Sequence, residues 1–180
     1  VRGGQVIDPD VFCDPQTGKY YLYWGNGFLA VAELNDDMVS LKEGTTRILI
    51  PRERKRDFHY NEGTYVFYRD GKYYFTWSEN DTRSPNYRVR YTVSDSPTEL
   101  TGGVSRTVLL AKDGSKGIWG TGHHAVIQRP ATDDWYIVYH RFARPDAIKL
   151  GWDAGYHREI CIDRLEFNDD GTLKPVHPTL

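Results

Sequence analysis

Three short motifs in this chain set ionisable side chains against the start of an apolar strand. The first is Ile7-Asp8-Pro9-Asp10-Val11-Phe12. A residue before proline is pushed towards extended geometry, so Asp8 is expected at the mouth of a strand and not on a helix. Taken alone, an Asp-Pro pair is most often a turn, and Asp14-Pro15 nearby reads as one. The second motif is Tyr60-Asn61-Glu62-Gly63-Thr64-Tyr65-Val66-Phe67. A carboxyl under a hydrophobic rim keeps its proton available for donation, which is what a general acid needs. The plainer alternative is a surface glutamate beside a turn.

The third motif is Gly120-Thr121-Gly122-His123-His124-Ala125-Val126-Ile127, a glycine-rich turn with two adjacent histidines before a strand. Neighbouring side chains on a strand point to opposite faces, so only one of the pair can face a given site. No second His, Cys or Asp stands at zinc-ligand spacing, so a zinc site is not expected. A lone histidine is usually a hydrogen-bonded structural residue.

The elements that must position these groups read as strands. No long segment holds the i, i+3, i+4, i+7 apolar pattern of a helix. Short apolar and aromatic runs recur instead, each closed by a turn rich in Gly, Asp, Asn or Pro. Three look alike: Asp14 to Gly25, Arg69 to Ser78 with Asp70-Gly71 as a hairpin signal, and Pro130 to His140. Tyr21, Tyr74 and Tyr136 mark their offsets of 53 and 62 residues. A weaker fourth unit runs from Arg158 to Phe167. Similar hairpins at about 50-residue spacing are the mark of propeller blades, and 180 residues at that period give between three and four of them. A β-sandwich would also give many short strands, and the repeat is what discriminates.

Composition excludes several classes. Aromatic residues make up 14%, with 13 Tyr and 5 Trp, a mix suited to pleated surfaces and to stacking on sugar rings. Most of those rings are expected to be packing residues. The net charge of −2, with no basic half or acidic tail, lacks the footprint of a nucleic-acid binder. The one basic run, Arg52, Arg54, Lys55 and Arg56, is broken by Glu53 and reads as a solvated loop. No apolar stretch approaches the ~20 residues that span a bilayer, so no membrane partner is expected. Cys13 and Cys161 each sit in an apolar run; two buried thiols are expected, with a disulfide as the alternative.

The motif order Ile-Asp-Pro, Asn-Glu-Gly, Gly-Thr-Gly-His-His, then His157-Arg158-Glu159, resembles glycoside hydrolase family 43. Tyr20 to Gly25, Tyr87 to Tyr91 with Ser94 to Pro97, and Asp134 to Arg141 agree with it. The resemblance spans nearly the whole chain. It implies an all-β, five-bladed propeller, present here as a partial propeller of about four blades within one domain. It further implies an inverting glycosidase that works with carboxylates from separate blades. Glu62 matches the general acid, and Asp8 the aspartate that orients the acid and tunes it. His123 matches a histidine that helps hold a hydrated calcium or other cation, and Arg158 an arginine near the sugar. Trp24 and Trp77, at the ends of homologous strands, are candidate ring-stacking residues, with core packing expected for at least one.

The family's catalytic base lies in an Asp-Pro motif well upstream of the middle aspartate, and no such motif precedes Asp8. The first blade, and the base with it, are therefore expected to be missing from this chain, whose partner would be an N-terminal segment of the same protein. Implied substrates are arabinofuranosides or xylosides, less often galactosides, of plant cell-wall oligo- and polysaccharides, met in a secreted or periplasmic setting. The alternative is a non-catalytic carbohydrate-binding propeller that kept the acid and the aromatics.

Overall fold

The computed structural model describes residues 4–102 and 107–180. Their regular structure is mainly strand, in three antiparallel sheets. β1 (Asp10–Cys13), β2 (Tyr20–Trp24), β3 (Leu29–Glu33) and β4 (Arg47–Ile50) pair antiparallel in chain order. The second sheet runs β5 (Glu62–Arg69), β6 (Lys72–Glu79), β7 (Arg88–Ser94) and β8 (Val108–Leu110), again in chain order. In the third, β10 (Trp135–Phe142) lies between β9 (Gly122–Gln128) and β11 (Arg158–Leu165). Helix is confined to short 3-10 turns at Arg52–Arg54, Gly114–Lys116 and a kinked stretch, Ala147–Tyr156.

The three look-alike runs become β2, β6 and β10, the second strand of each sheet. Their turns behave as the residues demand. Asp70 and Gly71 both take positive φ (49° and 83°), as a two-residue hairpin loop requires. The Asp14 carboxylate caps its own turn by accepting from the Gln16 amide and the Thr17 hydroxyl. The fourth, weaker unit is not the start of a new sheet. It is β11, paired with β10 from Trp135↔Leu165 to Phe142↔Arg158. A third strand repeats the alternation of its neighbours, and alternation alone does not say which sheet it joins.

The chain divides into two compact units, residues 4–77 with 91–102 and residues 78–90 with 107–180. The first has a core of alternate side chains from β1 to β3 and β5 to β6, including Phe12, Tyr23, Val31, Val66, Phe75 and Trp77. Phe12 meets Tyr73 edge-on at 6.1 Å, and Tyr23 meets Phe75 likewise at 5.7 Å. The second unit buries Ile137, Tyr139, Phe142 and Leu165 along β10 and β11. There Glu79 accepts from the guanidinium Nε atoms of both Arg88 and Arg90.

In the basic run Arg52, Arg54 and Arg56 are exposed and Lys55 is half-buried, with Arg54 paired to Asp57 at 3.2 Å. Both cysteines are free, but Cys13 is exposed and Cys161 only half-buried, which corrects the expectation of two buried thiols. Cys13 lies on the solvent-facing side of β1, where Phe12 takes the inward position. Among the described residues no helix is long and apolar enough to cross a membrane.

Candidate active site

In the first unit three loops meet at one end of the first sheet. Residues 5–9 run into β1, residues 25–27 leave β2, and residues 59–61 run into β5. Backbone hydrogen bonds tie them together: Gly25 N–H to Ile7 O at 2.9 Å, Asn26 N–H to Gln5 O at 2.9 Å and Gly27 N–H to Asn61 O at 2.7 Å. At their junction Glu62 is 8% exposed. The Asn26 side-chain amide donates to its Oε2 at 2.6 Å. Beside it the Tyr60 hydroxyl lies buried, bonded to Gly25 O at 2.9 Å and to Thr64 Oγ1 at 3.0 Å. Burial first, and then the charges of Asp8 and Glu62, hold that phenol well above its ordinary range, while the Thr64 bond opposes them. Both carboxylates singled out by their motifs therefore lie near enough to this phenol to raise it electrostatically.

Asp8 departs from the extended geometry expected before proline, with a φ of 56°. Left-handed backbone is uncommon outside glycine, though Asp tolerates it better than most, and such strain gathers at functional sites. One Asp8 carboxylate oxygen is buried with no hydrogen-bond partner. Asp10, two residues on, likewise has an unpartnered buried oxygen, and burial pushes its carboxyl above the usual range against backbone bonds from Val66 and Val11.

The two tryptophans part company. Trp77 has 0% exposure inside the core, and its indole N–H donates to His59 O at 3.2 Å. A ring covered on both faces cannot stack on a sugar, so Trp77 is the core member of the pair. Trp24 is half-buried and lines an open apolar recess of about 290 Å³ with Val6, Ile7, Pro9, Leu22 and Leu41.

In the second unit His123 and His124 face opposite ways, exposed and buried respectively. His123 takes a φ of 46°, and its N–H donates to the Ser78 hydroxyl at 2.9 Å. Its ring lies over His140 at 6.2 Å, and His140 stacks on Tyr87 at 5.5 Å. Gly122 makes that stack possible, because a Cβ there would sit 2.4 Å from the Tyr87 ring. A bulge in the β9–β10 pairing falls between Val138 and His140 and re-aims the latter. Burial, helped by the charges of Arg158 and His123, depresses His140 to a pKa of about 3, so it is a neutral ring.

Arg158 opens β11 and is exposed. Its neighbour Glu159 fixes that strand end by accepting from Arg141 at 2.7 Å and Arg144 at 2.8 Å. Among the described residues no three His, Cys, Asp or Glu groups gather to hold a metal. Calcium takes six to eight oxygen ligands, which a single imidazole does not supply.

Sequence reasoning missed Asn26, Tyr60 and His140 as contributors. Gly25-Asn26-Gly27 reads as an ordinary turn, and only the meeting of three loops puts its amide on Glu62. His140 carried one usable signal, a polar side chain at the end of an aromatic strand.

The glycosyl hydrolases family 43 model matches residues 1–173. The chain is 36% identical over 181 residues to a β-D-galactofuranosidase of Aspergillus niger, covering 100% of this chain and 48% of that protein. A thermostable family-43 glycoside hydrolase superposes with a TM-score of 0.78 at 31% identity, over 99% of this chain and 60% of that one. An α-L-arabinofuranosidase from Clostridium thermocellum does so at 0.71 and 30%, over 99% and 55%. The chain thus spans about half the length of the curated relative.

Proposed function

Because this chain belongs to glycosyl hydrolases family 43, whose members are β-propellers, we propose that it is the acid-bearing part of an inverting glycosidase. Its three sheets are then blades of a partial propeller. Its substrates are arabinofuranosides or xylosides of plant cell-wall polymers, met outside the cytoplasm or in the periplasm. The names of its relatives, a galactofuranosidase and an arabinofuranosidase, support a pentose or furanose ring in the site.

The observation that carries this reading is buried Glu62, held by the Asn26 amide where the Asp8 loop meets the two others. Glu62 gives its proton to the leaving oxygen. As it does so it becomes a carboxylate, and the Asn26 amide, already aimed at Oε2, stabilises the charge that develops. Asp8, strained and one oxygen short of a partner, orients the acid and tunes it electrostatically. Arg158 donates to sugar hydroxyls, and Trp24 offers the open ring face that Trp77 lacks. A cation beside His123 would be carried by water and not by protein ligands.

Inversion also needs a carboxylate base roughly 6.5–9.5 Å from the acid to activate water. That base comes from a segment of the same protein outside these 180 residues, so the chain alone turns over glycosides negligibly. The test is hydrolysis of aryl α-L-arabinofuranosides and β-D-xylosides by the intact protein, with proton NMR of the first-formed anomer. Inverted product supports the reading. Retained configuration refutes inversion, and sugar binding without turnover establishes the non-catalytic carbohydrate-binding alternative.

A further inference from the structure

The 3-10 stretch Ala147–Tyr156 carries an aromatic surface that the roles above do not use. Trp152 is 56% exposed and Tyr156 67%. Exposed rings of this size are ordinarily mobile, but the Trp152 ring is fixed from beneath. The Arg83 guanidinium lies over the Trp152 ring, 4.5 Å from its centroid. Arg83 is itself locked by Asp81: Nε donates to Oδ1 at 2.8 Å and Nη2 to Oδ2 at 2.7 Å. Tyr156 lies near enough to the same guanidinium to interact with it electrostatically.

The loop is seated as firmly as its rings. Ala147 and Ala154 pack against Phe142, and the chain kinks at Gly151 between them. Gly155 lies directly on Arg83, where a Cβ would come within 2.6 Å of the Arg83 Cα. One face of Trp152 is thus covered by a guanidinium, and its exposure belongs to the other. The ion pair beneath is charge-neutral, and the side chains of Arg83 and Asp81 remain 33% and 41% exposed at its edge. A flat apolar face bordered by a neutral pair of donors and acceptors matches a sugar ring, with its C–H face and equatorial hydroxyls. It does not match an anion, which Asp81 would repel, or a lipid surface, which would leave the pair desolvated.

The surface also borders the His140 stack and Arg158. Thr82, between Asp81 and Arg83, has its hydroxyl 3.3 Å from His140 Nε2. Tyr156 stands two residues before Arg158, so their Cα atoms are no more than about 7 Å apart. We infer that Trp152, with Arg83 and Tyr156, binds a further sugar of a neutral polysaccharide chain, next to the sugar that Arg158 holds. The inference rests on the glycosidase reading for the scissile bond, though not for sugar binding itself. Because the ring is pre-positioned, little side-chain entropy is lost when a sugar stacks on it.

Two measurements separate this inference from that reading. In the intact protein, Trp152→Ala should lower the ratio of kcat/KM for arabinoxylan to kcat/KM for a nitrophenyl glycoside at least tenfold, and Trp152→Phe should restore most of it. An unchanged ratio overturns the inference and leaves the glycosidase reading standing. The purified chain is also titrated with xylohexaose while its indole N–H signals are followed by NMR. The signal missing from Trp152→Ala should move furthest. If the wild type turns over no aryl glycoside, the glycosidase reading falls and the titration alone decides. Movement of other indoles but not of Trp152, or Trp152 broadening with protein concentration instead of with sugar, would overturn the inference.

Discussion

Replacing Asn26 with alanine removes one hydrogen bond from Glu62 while leaving the carboxyl in place. The bond is short, 2.6 Å from Nδ2 to Oε2, and Glu62 is nearly buried, so water replaces it poorly. Hydrogen bonds to charged groups contribute roughly 1.5–3 kcal/mol. The amide stabilises a carboxylate more than a protonated acid, so its effect grows as the proton leaves for the glycosidic oxygen. At about 1.4 kcal/mol per decade, the loss corresponds to a kcat reduced about ten- to a hundredfold. It should appear on glycosides with poor leaving groups, which depend on protonation. A nitrophenyl glycoside should lose far less, because its leaving group departs without the proton. The assay is steady-state kinetics of the intact protein on matched alkyl and nitrophenyl glycosides, with a thermal melt to confirm folding. Equal losses on both substrates would refute a role for Asn26 through the acid. So would no loss on either.

Other consequences follow from the same geometry. Trp77→Ala should cost about 3–5 kcal/mol of unfolding free energy, since it empties a fully buried site, whereas Trp24→Ala should cost much less and raise KM; the reverse pattern by chemical denaturation would contradict the assignment. His124 and His140 are both held neutral by burial, with pKa values depressed to about 3, while the unfolded chain protonates them near 6.5. The unfolded state binds more protons between those values, so stability should fall with acidification by about 1.6 kcal/mol per histidine from pH 6.5 to pH 5. A flat stability profile over that interval would show that the rings are solvated. Since among the described residues no three His, Cys, Asp or Glu groups gather to hold a metal, chelation should leave the melting temperature unchanged, and a clear drop would reveal a directly ligated cation.

Much of this was legible in the sequence because strands and turns are written locally. Asp70-Gly71 dictates its hairpin, and the aromatic runs alternate faces as a pleated strand must. The ordering of Asp8, Glu62, His123 and Arg158 at strand starts was legible for the same reason. What failed is what depends on distant neighbours. Trp24 and Trp77 occupy equivalent places in homologous strands, yet seven of the eight β6 residues are buried, while β2 leaves Leu22 and Trp24 partly open. The Arg158 to Phe167 unit looked like a new blade because strand pairing is not encoded in alternation. Asp8 escaped the proline rule because its loop, tied to residues 25 and 26, imposes a backbone that local preference disfavours. Asn26 became visible only when three loops met.

The central claim, that Glu62 is the proton donor, is tested most directly by Glu62→Ala in the intact protein on two substrates of the same sugar. General acid catalysis contributes about 10²–10⁴-fold. Hydrolysis of an unactivated glycoside should fall by that factor, while hydrolysis of the nitrophenyl glycoside should fall far less and lose its dependence on the acid's ionisation at alkaline pH. Equal loss on both substrates, or full activity on the unactivated one, would contradict the assignment of Glu62.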